Sequence, residues 1–116
     1  MTHLDPLTAA RQAVAIRVDR PATAILHDSA DVRLIVFRLA EGQAVAPHRS
    51  TSSVQLTVLE GSGVLSGESD SGATDLVCSS GDVVVYLPNE LHGMRAGSDE
   101  ELLLLATITP RPGGAH

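Results

Sequence analysis

The sequence predicts a small all-β domain, either a sandwich or a barrel. Three observations carry this. Short segments rich in Val, Ile, Leu and Thr follow one another along most of the chain. Clusters of Gly, Asp, Ser and Pro separate them at short intervals. The length, 116 residues, suits one domain with one core and no second domain.

The first segment is the exception to the β pattern. Asp5-Pro6 ahead of Leu7 to Val14 predicts a short helix or an arm, with Asp5 as N-cap and Pro6 at the first helical position. Strands then follow at Ala13–Val18, Thr23–His27, Val32–Leu39, Ala44–Pro47 and Val54–Leu59. Five more are predicted at Gly63–Ser66, Thr74–Cys78, Val83–Leu87, Gly93–Ala96 and Glu101–Thr109. The breaks carry turn chemistry, as in Asp19-Arg20-Pro21, Glu60-Gly61-Ser62-Gly63 and Ser79-Ser80-Gly81-Asp82. Gly67 to Gly72 is polar and acidic and reads as an exposed hairpin tip. Residues 1–12 form the arm or short helix, 13–109 the β domain and 110–116 a tail.

Leu34-Ile35-Val36-Phe37 and Leu102 to Leu105 are apolar on both faces. Such strands need cover beyond their own barrel interior. A second subunit is the expected cover, hence a homodimer; the N-terminal segment is the alternative.

Charge and composition exclude several classes. Eight Lys+Arg against 14 Asp+Glu give −6. A nucleic-acid binder needs a basic footprint, and anionic membranes repel an acidic surface. Phe37 and Tyr86 are the only aromatics, too few for a base-stacking platform. Long-range steering of polyanions is disfavoured as well, so neutral or cationic ligands, or small acids, fit better. The apolar run Leu102 to Ala106 falls far short of the roughly 20 residues that span a bilayer. Met1 to Pro6 lacks the pattern of a signal peptide, so a cytoplasmic protein is expected. The single cysteine, Cys78, forms no internal disulfide and reads as a small buried hydrophobe.

Two windows carry the chemistry. One is Gly42-Gln43-Ala44-Val45-Ala46-Pro47-His48-Arg49-Ser50, running on to Val58-Leu59-Glu60-Gly61. The other is Gly81-Asp82-Val83-Val84-Val85-Tyr86-Leu87-Pro88-Asn89-Glu90-Leu91-His92. Together they resemble the two motifs of the cupin superfamily, and the resemblance covers roughly half the chain. Gly42 and His48 match the first motif at its spacing, and His92 falls at the last histidine of the second. The resemblance implies a small cupin-type β-barrel, a jelly-roll-like double-stranded β-helix.

The departures shape the functional expectation. The second histidine of the family's His-x-His pair is Ser50. The family glutamate falls on Val54 or Gln55, and the asparagine after the last histidine is Ala96. The resemblance therefore leaves His48, His92 and Gln55 as the residual metal ligands. Two imidazoles and an amide make a poor cage for Fe, Mn, Zn, Cu or Ni, so weak metal binding or none is expected. Positions 48 and 50 share one strand face, as do His92, Met94 and Ala96. The expected ligand-binding set is His48, Ser50, Gln55, Tyr86, His92 and Met94. The histidines have a structural reading too, as a hydrogen-bonded core pair. Gln55 also reads as solvent-facing, and Tyr86 as packing. Two functions stay open: a cupin pocket binding a small molecule, or a metal-dependent dioxygenase, isomerase or lyase using His48 and His92.

Overall fold

The computed structural model describes residues 1–110. The tail predicted over 110–116 falls outside the described residues beyond Pro110.

Helix α1, Pro6–Gln12, forms where its local signals put it. Thr8 N donates to Asp5 Oδ1 at 3.2 Å, and Thr8 Oγ1 donates to Asp5 Oδ2 at 2.8 Å. The cap satisfies a free N–H of the first turn, and Pro6 has none to satisfy.

Eight strands follow: β1 Ala22–Asp28, β2 Arg33–Leu39, β3 Ala44–His48, β4 Ser53–Ser69, β5 Gly72–Ser79, β6 Val83–Tyr86, β7 His92–Ala96 and β8 Leu102–Thr109. They build two layers. One joins β1, β2, β8, the first half of β4, and β6. The other joins β3, β7, the second half of β4, and β5. Every described pairing is antiparallel.

Two sequence expectations are corrected here. Ala13–Val18 is not a strand: the chain leaves α1 and runs as irregular backbone to Pro21. Val14, Ile16 and Val18 alternate as strand residues would, yet they are 81%, 101% and 95% exposed. Alternation sets the faces of a strand, but a strand forms only where an edge accepts its hydrogen bonds. The second correction is at Glu60-Gly61-Ser62-Gly63, which does not break the chain into two strands. β4 runs through it, with a register shift between Val58 and Glu60. Gly61 takes φ +85°. A bulge beside a glycine lets one strand turn from the first layer to the second without leaving the ladder.

Strand alternation builds the core. Leu102, Leu104 and Ala106 of β8 face inward to meet Val54, Leu56 and Val58 of β4. Leu65, Cys78, Met94 and Ala96 join them from the second layer. The outward residues of the two-sided apolar strands also find cover, from α1. Ala10 packs on Val36 and Leu103, with Leu7, Ala24, Leu26, Leu59 and Leu105 around them. The alternative to a second subunit thus accounts for this part of the outer face. Arg11 pairs with Glu60, and Arg38 Nη1 donates to the Arg11 carbonyl at 2.7 Å, tying the helix down. Among the described residues no helix is long and apolar enough to cross a membrane.

Candidate functional site

The two histidines of the sequence windows meet across a strand pair. β3 and β7 run antiparallel, with His48 opposite His92. Their ring centroids lie 4.2 Å apart, inclined at 59°. His92 is 5% exposed, while His48 is open to solvent.

Each ring is oriented by backbone two residues before it. His48 Nδ1 lies 3.0 Å from the Ala46 carbonyl oxygen, and His92 Nδ1 lies 3.3 Å from that of Glu90. A carbonyl only accepts, so both Nδ1 atoms donate and carry the proton. In the neutral rings each Nε2 is then a lone-pair acceptor. Burial holds the His92 imidazolium back and lowers its pKa. Its bond to the Glu90 carbonyl opposes that shift, and His48 adds to it.

The pair stands in the wall of a cavity of about 490 Å³ between the layers. Of the residues singled out in the sequence, His48, Ser50, His92 and Met94 line it. Most of the remaining wall is apolar, from Phe37, Val45, Val54, Leu56, Ala106 and Ile108. The sequence reading missed these as site residues. Their signal was there, since each lies on an inward-facing strand position.

Two predicted residues are elsewhere. Gln55 is exposed on the outer face of β4, between the buried Val54 and Leu56. The two-residue period turns it away from the cavity, so the ligand and metal roles expected of it are withdrawn. Tyr86 is buried behind His92, with ring centroids 5.3 Å apart, and does not line the cavity. Its hydroxyl donates to the Ser66 carbonyl at 2.9 Å. Burial pushes its pKa up to about 12, so it stays protonated and acts as a support for the His92 ring.

Arg49, next to His48, belongs to the cavity rim as well. Its Nη1 donates to Glu68 Oε1 at 2.6 Å and to the Asn89 carbonyl at 2.8 Å. Glu68 Oε1 also accepts from Leu91 N at 3.2 Å. Arg49 follows His48 and Leu91 precedes His92, so one carboxylate braces the neighbours of both histidines. The hydrogen bonds from Arg49 and Leu91 hold the Glu68 carboxyl below its ordinary pKa. No local signal marks this brace, because Arg49 and Glu68 are 19 residues apart.

The donor set does not suit a tightly held metal ion. Among the described residues there is no cluster of three or more His, Cys, Asp or Glu. Besides the two imidazoles the cavity wall offers as ligand atoms only the hydroxyls of Ser50 and Thr51 and the thioether of Met94. No carboxylate in that wall offsets a dication, and a closed site wants about four good ligands. Cys78 is buried at 1% exposure in the core, and burial pushes its thiol pKa up.

No family model and no curated protein matches this sequence. Solved structures do. The chain is similar to an RmlC-like cupin protein from Desulfovibrio desulfuricans at 27% identity, covering 95% of this chain and 97% of that one, with a TM-score of 0.75. It is similar to an uncharacterized conserved protein with a double-stranded β-helix domain from Klebsiella pneumoniae at 20% identity, covering 90% of each chain, with a TM-score of 0.76. A cupin superfamily protein from Desulfitobacterium hafniense matches at 17% identity, over 94% of this chain and 92% of that one, with a TM-score of 0.73.

Proposed function

This chain has the double-stranded β-helix fold of the cupins, and we propose that it binds a small molecule in its barrel cavity, against His48 and His92, with weak metal affinity or none. One observation carries the reading. Two histidines face each other at the wall of an otherwise largely apolar cavity, each with Nδ1 committed to a carbonyl. Two adjacent Nε2 acceptors then await a hydrogen-bond donor, for which a hydroxyl is the simplest fit. Walls of this kind, apolar with a few convergent polar groups, are what ligand pockets have.

Binding would take place in the cytoplasm, in a homodimer. Support for the dimer is the apolar outer surface that α1 leaves bare on β6, where Val83 is 52% and Val85 58% exposed.

The test is a thermal-shift screen of hydroxylated metabolites, with metal content measured by plasma mass spectrometry on untagged protein. A ligand at about a hundred times its dissociation constant adds roughly 2.7 kcal/mol of stability. The shift should vanish in His48→Ala and His92→Ala. Near one equivalent of metal, lost in both variants, would replace this reading with a metal-dependent enzyme of the dioxygenase, isomerase or lyase kind.

A further inference from the structure

Charge is sorted unevenly around the cavity. A second, outer chamber of about 370 Å³ shares Phe37 and Val45 with the inner one, so the two adjoin across that pair. The chain holds 14 acidic residues and eight arginines, with no lysine. Yet Arg17, Arg20 and Arg49 line the two chambers, and no Asp or Glu does.

Two of these arginines are already engaged. Arg17 Nη2 pairs with Asp19 at 3.2 Å, and Arg49 is held by Glu68. The Arg20 guanidinium, exposed at the outer rim, has no ion-pair or hydrogen-bond partner among the described residues. Its backbone is nonetheless anchored. Arg20 N donates to the Arg17 carbonyl at 3.2 Å, and Gln43 Nε2 donates to the Val18 and Arg20 carbonyls at 3.0 and 3.3 Å. The only uncommitted cation of the cavity lining therefore sits on a pinned turn, at the opposite chamber from the histidines.

We infer that the ligand is a monocarboxylate with an apolar body, its acid group bound by Arg20 and its body passing Phe37 and Val45 toward the histidine pair. The inference rests on the binding role proposed above and names the class of molecule. A guanidinium presents a planar fork that matches a carboxylate. The net charge of −6 does not oppose this. It acts at long range, where salt screens it, whereas the lining acts at contact. The apolar walls reject a second charge along the body.

The experiment is calorimetric titration with ω-hydroxybutyrate, ω-hydroxyhexanoate and ω-hydroxyoctanoate, and with the matching amides. At least one acid should bind the wild-type protein. Its amide should bind about tenfold more weakly, and Arg20→Gln should lose about tenfold for the acid but little for the amide. Equal binding of acid and amide, or unchanged binding in Arg20→Gln, would overturn the carboxylate assignment. So would failure of all three acids to bind. His48→Ala separates the two claims. Loss of affinity there with none in Arg20→Gln keeps the cavity reading and removes the carboxylate. Loss in Arg20→Gln with none in His48→Ala keeps the carboxylate seat and removes the histidines.

Discussion

Gly61 is where β4 turns from one layer into the other, and Gly61→Ala asks whether that corner depends on the absence of a side chain. Two costs add. Its φ of +85° lies in the left-handed region, which costs an L-residue about 1–2 kcal/mol. The new Cβ would also stand 2.9 Å from the Glu101 carbonyl carbon and closer still to its oxygen. That is backbone of the segment entering β8, which cannot swing aside as a side-chain tip does. Overpacking of this kind costs about 1–3 kcal/mol. The sum is about 2–5 kcal/mol, a large part of the roughly 5–15 kcal/mol that keeps a small domain folded. Gly81→Ala is the control. Its φ is +93°, but a Cβ there meets nothing within 4 Å, so only the first cost applies. Urea denaturation measures both, from the midpoint and slope of each curve. Losses equal to within about 0.5 kcal/mol would refute the close approach at Gly61 as the cause. Wild-type stability in Gly61→Ala would refute the corner itself.

Three further outcomes are expected. Burial lowers the His92 pKa, so the unfolded chain binds more protons below its ordinary value of 6.5. Stability is then full above that pH and falls as pH drops toward the folded pKa. His92→Gln should flatten the urea midpoint between about pH 5 and 7, and an unchanged slope there would contradict the assignment. Leu104 is fully buried, and Leu104→Ala should cost about 2–5 kcal/mol. Val77→Ala, 80% exposed on β5, should stay within about 0.5 kcal/mol, and similar losses for both would contradict the inward register of β8. Glu68→Gln should loosen the brace beside the histidines, with faster amide exchange at Leu91 and weaker ligand binding. Unchanged Leu91 protection would show that the brace is idle.

Local rules were legible in the sequence and pairing was not. The α1 cap needs only Asp5, Pro6 and Thr8, neighbours in the chain, and of the two readings, helix or arm, the helix forms. The inward residues Val54, Leu56 and Val58 of β4 follow from alternation, whereas Leu102 to Leu105 of β8 are apolar on both faces and only packing tells their two sides apart. The segment Ala13–Val18 alternates just as well, but nothing in it says whether a sheet edge is free to take it. Gly61 and Gly63 read as a break, because the sequence cannot distinguish a turn from a corner within one strand. At the site, His48 and His92 were found through motif spacing. Motif spacing left Gln55 and Val54 as rivals for one position. The period of the strand decides for Val54, whose neighbour Leu56 is also buried. The Arg49–Glu68 brace joins β3's end to β4's end, and contacts at that range leave no trace in a local window.

The unbroken course of β4 bears on how the molecule comes apart. This single strand is hydrogen-bonded to β5, β6, β7 and β8. It is the hub through which each layer touches the other. Neither layer can peel away while β4 keeps its ladder, and β4 cannot leave without opening both. Local opening is then confined to the outer members, such as β1 and β3, while amides near the middle of β4 exchange only when the whole domain unfolds. The histidine pair straddles that divide. His48 sits on the outer strand β3 and His92 on β7, beside the hub. Breathing at β3 would then open the cavity wall at His48 without loosening the side that holds His92.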